Sequence, residues 1–164
     1  MHPRTETTKT QMSRNTLAEA VKSATREGGV LGPAEGETLA QAERRFGISL
    51  PTDMAQFYRS MNGTAYPTET NHGWVRLWDL GSWRRLRDDS NLSVETSDYR
   101  GLADAILFAD HCDDSWYYAA EFLTESTGPR IYLVDGLRPA KLVAAGFTAF
   151  VEAFLADSAD IYPD

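Results

Sequence analysis

The 164-residue sequence predicts an α+β fold, an antiparallel sheet of about four to six strands packed against N-terminal helices and a C-terminal helix. Three observations carry this. Apolar residues recur at helical spacing before residue 62 and after residue 146. Between residues 74 and 144 they instead alternate or form short blocks rich in aromatic and β-branched residues. The loops joining these blocks are short, which implies antiparallel neighbours rather than parallel crossovers.

Residues 1–13 are polar, Thr-rich and aperiodic and are expected to form a disordered tail, leaving 14–164 as one domain. In the first helix Leu17, Ala20, Val21 and Ala24 form the apolar stripe, with Ser13 or Asn15 as cap and Gly28-Gly29 as the stop. A second helix is predicted over Glu35 to Phe46, with Leu39, Ala42 and Phe46 on one face and Gly47 in the left-handed position beyond it. Pro51 fits the first position of a third helix because its missing N–H has no intrahelical partner there, and Asp53 complements the helix dipole. That helix buries Met54, Phe57, Tyr58 and Met61 and stops at Asn62-Gly63, so the second and third helices form a hairpin.

After a polar loop from Thr64 to Gly73, Trp74 to Trp78 alternates as a strand. Residues 79–104 are ambiguous: Arg84, Arg85, Arg87, Asp88 and Asp89 make a charged excursion suited to a short helix or a surface loop. Further strands are expected at Ala105–Ala109, Trp116–Phe122 and Arg130–Val134. After the turn at Asp135-Gly136, Lys141–Ala144 returns against Ile131–Val134. On the Trp116 strand, alternation sends Trp116, Tyr118, Ala120 and Phe122 toward the helices, with Tyr117, Ala119 and Glu121 opposite. Phe147, Phe150, Val151, Phe154 and Leu155 define a closing helix, and burying each Phe contributes about 1.5–3 kcal/mol.

Sixteen basic and twenty-four acidic residues give a net charge of −8. Such a chain is a poor nucleic-acid ligand, since binding phosphate requires Lys and Arg to displace counterions. The asymmetry is sharper along the chain: residues 1–30 carry five basic and three acidic side chains, leaving eleven basic and twenty-one acidic ones in residues 31–164. No Lys or Arg falls between Asp104 and Pro129, where Asp110, Asp113, Asp114, Glu121 and Glu125 lie. A solvated acidic surface explains the stretch without a partner; a docking face for a basic protein is the functional alternative. Cys112 is the only cysteine, so no intramolecular disulfide can form. The first ten residues hold no apolar targeting core and no apolar run approaches a membrane span, so the expected location is the cytoplasm, with no membrane partner.

One cluster, Asp110-His111-Cys112-Asp113-Asp114, contains metal-ligand and nucleophile types in succession. Adjacent residues in a tight turn diverge, no second ligand pair such as His-x-x-His exists, and Cys112 has only its neighbour His111 or the loop residue His72 as a base. Aspartates that cap turns through their own side chains account for the cluster, so neither a metal, a cofactor nor a catalytic residue is expected. No Gly-rich phosphate loop, nucleophile elbow or dinucleotide fingerprint occurs either.

Phe46-Gly47-Ile48-Ser49-Leu50-Pro51-Thr52-Asp53-Met54-Ala55-Gln56-Phe57-Tyr58 followed by Met61-Asn62-Gly63 resembles the opening signature of the SUKH superfamily, founded on fungal Smi/Knr cell-wall regulators. Leu107-Phe108-Ala109-Asp110, Trp116-Tyr117-Tyr118, Ile131 to Asp135, and Gly146-Phe147 before Phe150-Val151 are similar to that family's strands and closing helix, so the resemblance spans about residues 35–157. Two departures stand out: His111 to Asp114 replaces the family's Gly-rich turn, and Gly146 stands where a Ser is usual, a benign change because Gly is an acceptable N-cap. The resemblance implies a non-enzymatic protein, either a bacterial immunity protein that blocks a cognate toxin or a regulatory interaction module. For a basic toxin, the expected contacts are Asp110, Asp113, Asp114, Trp116, Tyr117 and Glu121.

Overall fold

The computed structural model describes residues 16–65, 68–69, 74–92, 99–112, 114–124 and 128–164. The expected tail at 1–13, the caps at Ser13 and Asn15, His72, Asp113 and Glu125 lie outside these residues.

The described elements are α+β. Three helices, α1 (Thr16–Ala24), α2 (Gly36–Phe46) and α3 (Thr52–Ser60), precede the sheet, and α4 (Phe147–Leu155) follows it. The strands are β1 (Thr68–Glu69), β2 (Trp74–Leu77), β3 (Arg84–Arg85), β4 (Ile106–His111), β5 (Trp116–Glu121), β6 (Arg130–Val134) and β7 (Lys141–Ala144). Every pairing is antiparallel. Six strands run in the order β1-β2-β4-β5-β6-β7, and the two-residue β3 pairs with β4 off that path.

Hydrophobic spacing locates the helices within a residue or two, with two corrections. Pro51 is the N-cap of α3 rather than its first helical residue. The buried face of α1 is Ala18 and Val21 rather than the stripe through Ala20, which is exposed. Alanine fits either environment, so the alanines on this short helix leave its orientation to the packing. Contact with α4 decides it.

Register separates the two faces of the sheet. Leu77, Ala109, Tyr118 and Leu133 form one cross-strand row, and Val75, His111 and Trp116 form the next on the same side. This side meets the helices. Phe108 lies edge-on to Phe150 at 5.4 Å, Tyr118 packs on Phe150 at 4.8 Å, and Phe57 packs on Phe147 at 5.1 Å. Tyr58 and Trp83 join this core in an edge contact of 5.3 Å. Aromatic pairs in such tilted geometries contribute beyond their buried area.

The opposite side carries Arg76, Asp110, Tyr117 and Val134 in one row. Tyr117 and Ala119 are as buried as the helix-facing set, so both faces of β5 are core. The cover comes from the charged excursion, which combines strand β3 with a 3-10 turn over Leu86–Asp88 rather than being helix or loop alone. Asn91 Nδ2 donates to the Tyr117 hydroxyl at 3.3 Å, and the Tyr99 hydroxyl donates to the Arg138 carbonyl and accepts from Gly136 N.

Two long-range ties fix the helices. Asp53 in the first turn of α3 accepts from Thr148 N at 3.2 Å and Thr148 Oγ1 at 2.7 Å, so it caps α4, whose own N-cap Gly146 has no side chain to do so. Gly63 seats the end of the helical hairpin against β2. Its φ is +86°, and a Cβ there would lie 2.5 Å from the Leu77 carbonyl oxygen. Gly63→Ala is expected to destabilise the fold by on the order of 2–5 kcal/mol, combining left-handed strain with a backbone clash. Gly47 also has positive φ, but a Cβ there would meet nothing within 4 Å, so Gly47→Ala should cost only about 1–2 kcal/mol. Urea unfolding of both variants measures the difference.

Candidate functional site

Arg76 is the charged residue in the middle of an otherwise apolar strand, and alternation turns it away from the helices. A half-buried guanidinium needs a partner, which the register supplies directly across the ladder. Asp110, fully buried, accepts on Oδ2 from Arg76 Nε at 3.0 Å, from Arg76 Nη2, and from the Trp78 indole Nε1 at 2.5 Å. Burial pushes the Asp110 carboxyl above its usual range, while the Arg76 and Trp78 bonds oppose that rise. Asp110 therefore works inside the protein, holding Arg76 and Trp78.

Trp78 supports the next layer. Its ring meets Tyr117 edge-on at 5.9 Å, and the Arg84 guanidinium lies over it, 4.4 Å from the ring centre. Arg84 Nε donates to Asp89 Oδ2 at 2.6 Å, and Asp89, itself buried, also accepts from Asn91 N at 2.8 Å through Oδ1. Arg76, Trp78 and Arg84 line a cleft of about 270 Å³ together with Leu31, Thr64, Ala65, Asp79, Ser82 and Asp114.

The six residues expected at a partner surface do not form one patch. Asp110 and Tyr117 are buried, and burial raises the Tyr117 hydroxyl above its usual range. Neither can offer an exposed contact. Asp114 is exposed at the rim of the cleft, in a left-handed conformation with φ 68°, and lies 4.0 Å from Arg76 Nη2. Trp116 faces the other side of the sheet. Glu121 lies four residues beyond Tyr117, about 13 Å along the strand, and is held by Arg130 at 2.9 Å. Asp113 lies outside the described residues.

Arg76, Trp78, Arg84 and Asp89 are not among the six residues expected at the partner surface. The signal for Arg76 is present as a charge flanked by Val75 and Leu77. The other three converge only through the pairing of β2 and β3 with β4. Among the described residues, no group of three or more His, Cys, Asp or Glu side chains could hold a metal ion.

On the helix side, His111 stacks on Trp116 with ring centres 3.9 Å apart and planes 9° apart, and the Tyr162 ring closes on it edge-on at 5.7 Å. Both imidazole nitrogens are buried without a hydrogen-bond partner among the described residues. Burial holds its pKa below the ordinary value.

An α+β fold with a two-faced antiparallel sheet and a polar cleft built on a half-buried arginine paired with a buried aspartate is thus what the residues define. Residues 33–153 match the model of the SMI1 / KNR4 family (SUKH-1), and the chain belongs to that family. No match is found among curated proteins. Among the described residues, no helix is long and apolar enough to cross a membrane.

The burial of His111 has a measurable consequence. The unfolded imidazole takes up a proton near pH 6.5, whereas the folded one resists it. The neutral form's advantage is present above that pH and is lost as pH falls from there toward the lowered folded value. Stability should fall on acidification with a slope of up to about 1.4 kcal/mol per pH unit, and His111→Phe, which keeps the stack on Trp116, should flatten this component. Urea unfolding of both proteins from pH 7.5 downward provides the comparison.

Proposed function

We propose that the protein is an immunity protein that binds a cognate toxin and blocks it by occlusion, with no chemistry of its own. The family match carries the protein-binding part of this reading. Members of the family are generally non-enzymatic, and both the immunity proteins and the Smi/Knr-type modules work by binding other proteins. The acidity of this chain favours the first of these roles. Its net charge of −8 attracts a basic protein at long range, raising the encounter rate and selecting against acidic competitors. Asp79 and Asp114 add negative charge to the lining of the cleft.

Occlusion requires area rather than reactivity. An interface of about 1,600 Å² covers the cleft of a small toxin domain, with the binding energy concentrated in a few central residues. The reading includes no cofactor and a cytoplasmic setting. The same family match is equally compatible with a Smi/Knr-type regulatory module, and such a module predicts a gene neighbourhood without a toxin.

Where a toxin is encoded beside this gene, its co-expression with this protein is expected to restore growth and yield a stable complex; no protection together with no binding removes the toxin reading. In that complex, replacing Asp113 and Asp114 together by Lys should slow association by roughly tenfold at low ionic strength, and by much less in high salt. Stopped-flow association across a salt series reads this directly, and unchanged rates remove the acidic turn from the interface.

A further inference from the structure

We propose that the cleft beside Trp78 is a receptor for one carboxylate side chain of the bound protein, with Arg84 as the group that recognises it. This rests on the protein-binding reading above and names the chemistry of one contact.

Arg84 is immobilised in a way that ion pairing at a surface does not require. Its guanidinium lies over Trp78 at 4.4 Å and near Tyr117 at 5.6 Å. Buried Asp89 takes only its Nε, at 2.6 Å, and Asp89 is itself anchored by Asn91 N. The indole beneath is locked by its own bond to Asp110. Among the described residues, the two terminal Nη groups of Arg84 donate to nothing, although the side chain is 34% exposed and lines the cleft. A planar fork held at its back and along one face, with its terminal donors unused, is preorganised for bidentate recognition of a carboxylate.

The rim narrows the occupant further. Asp79 accepts from Ser82 N on Oδ1 and from Ser82 Oγ on Oδ2, and Asp114 stands 4.0 Å from Arg76 Nη2, so each carboxylate keeps unused lone pairs. A free anion meets this negative rim unfavourably. A protein segment bearing one Asp or Glu between basic residues satisfies both parts: its carboxylate on Arg84, its cations on Asp79 and Asp114. At about 270 Å³ the cleft holds a side chain rather than a folded element.

The test uses the full chain and three probes: the peptide acetyl-Lys-Asp-Lys-amide, its Lys-Asn-Lys counterpart, and inorganic phosphate. NMR follows the Trp78 indole N–H and the Arg84 Nε–H. The Asp peptide is expected to shift both resonances saturably, with the Asn peptide weaker by roughly tenfold or more. Arg84→Lys, which keeps the charge and loses the fork, should abolish the difference between the peptides. Absence of a saturable shift, equal binding of the two peptides, or phosphate binding as tightly as the Asp peptide would each overturn the proposal. The peptide comparison on the unaltered protein stands even where the variant does not fold. Toxin protection without the NMR response removes the cleft and leaves the immunity reading; the response without protection does the reverse.

Discussion

The buried carboxylate of Asp110 is the constraint on which the second face of the sheet depends. A charge with no exposure is sustained only by donors aimed at it, and here they come from Arg76 and the Trp78 indole on one neighbouring segment. The interaction thereby fixes the end of β2 as well as its register. Trp78 also gives its N–H to the Phe108 carbonyl, and its own carbonyl accepts the Tyr58 hydroxyl from α3. One residue therefore ties the sheet to the helical hairpin through its backbone and to the polar face through its ring. Replacing such a pair by well-packed apolar residues is often neutral in stability, whereas removing one partner alone costs about 3–5 kcal/mol. The arrangement is better understood as specifying one geometry than as strengthening the fold.

The two faces of the sheet solve burial differently. The helix side is closed by aromatic contacts among Phe57, Phe108, Phe147 and Phe150, which need shape and little directionality. The other side is closed by a segment rich in charge, which stays near the sheet because its polar groups are satisfied there: Arg84 on Asp89, Asn91 on Tyr117, Tyr99 on the turn after β6. Polar closure leaves a cleft where apolar closure would have filled it. The cleft lined by Arg76, Trp78 and Arg84 lies on that side for this physical reason.

Much of the fold is legible in the sequence because its signals are local. Periodicity locates α2, α4, β6 and β7 closely, and the left-handed glycines at 47 and 136 stand where turn chemistry requires them. The strand expected at Ala105–Ala109 is too short: β4 runs to His111, since pairing with Trp116 extends a ladder that the sequence pattern ends at the first aspartate. The same aspartate misleads at the site. Asp110 looks like the start of an acidic surface because its partner Arg76 is 34 residues away, and no local pattern announces a cross-strand ion pair. Tyr117 looks exposed because the cover provided by Asn91 and Arg84 comes from a segment with no clear period. Trp116 and Tyr117, adjacent in sequence, stand on opposite sides of the sheet, so alternation already forbids a single patch containing both.

The bond from Asp53 to Thr148 spans 95 residues and supplies the start of the last helix with the cap it lacks. In chain order the hairpin precedes the sheet and every strand of the sheet precedes α4. The hairpin's face around Phe57 is thus completed only when Phe147 arrives on the last helix, so this packing depends on a contact of high sequence separation, the kind that slows folding.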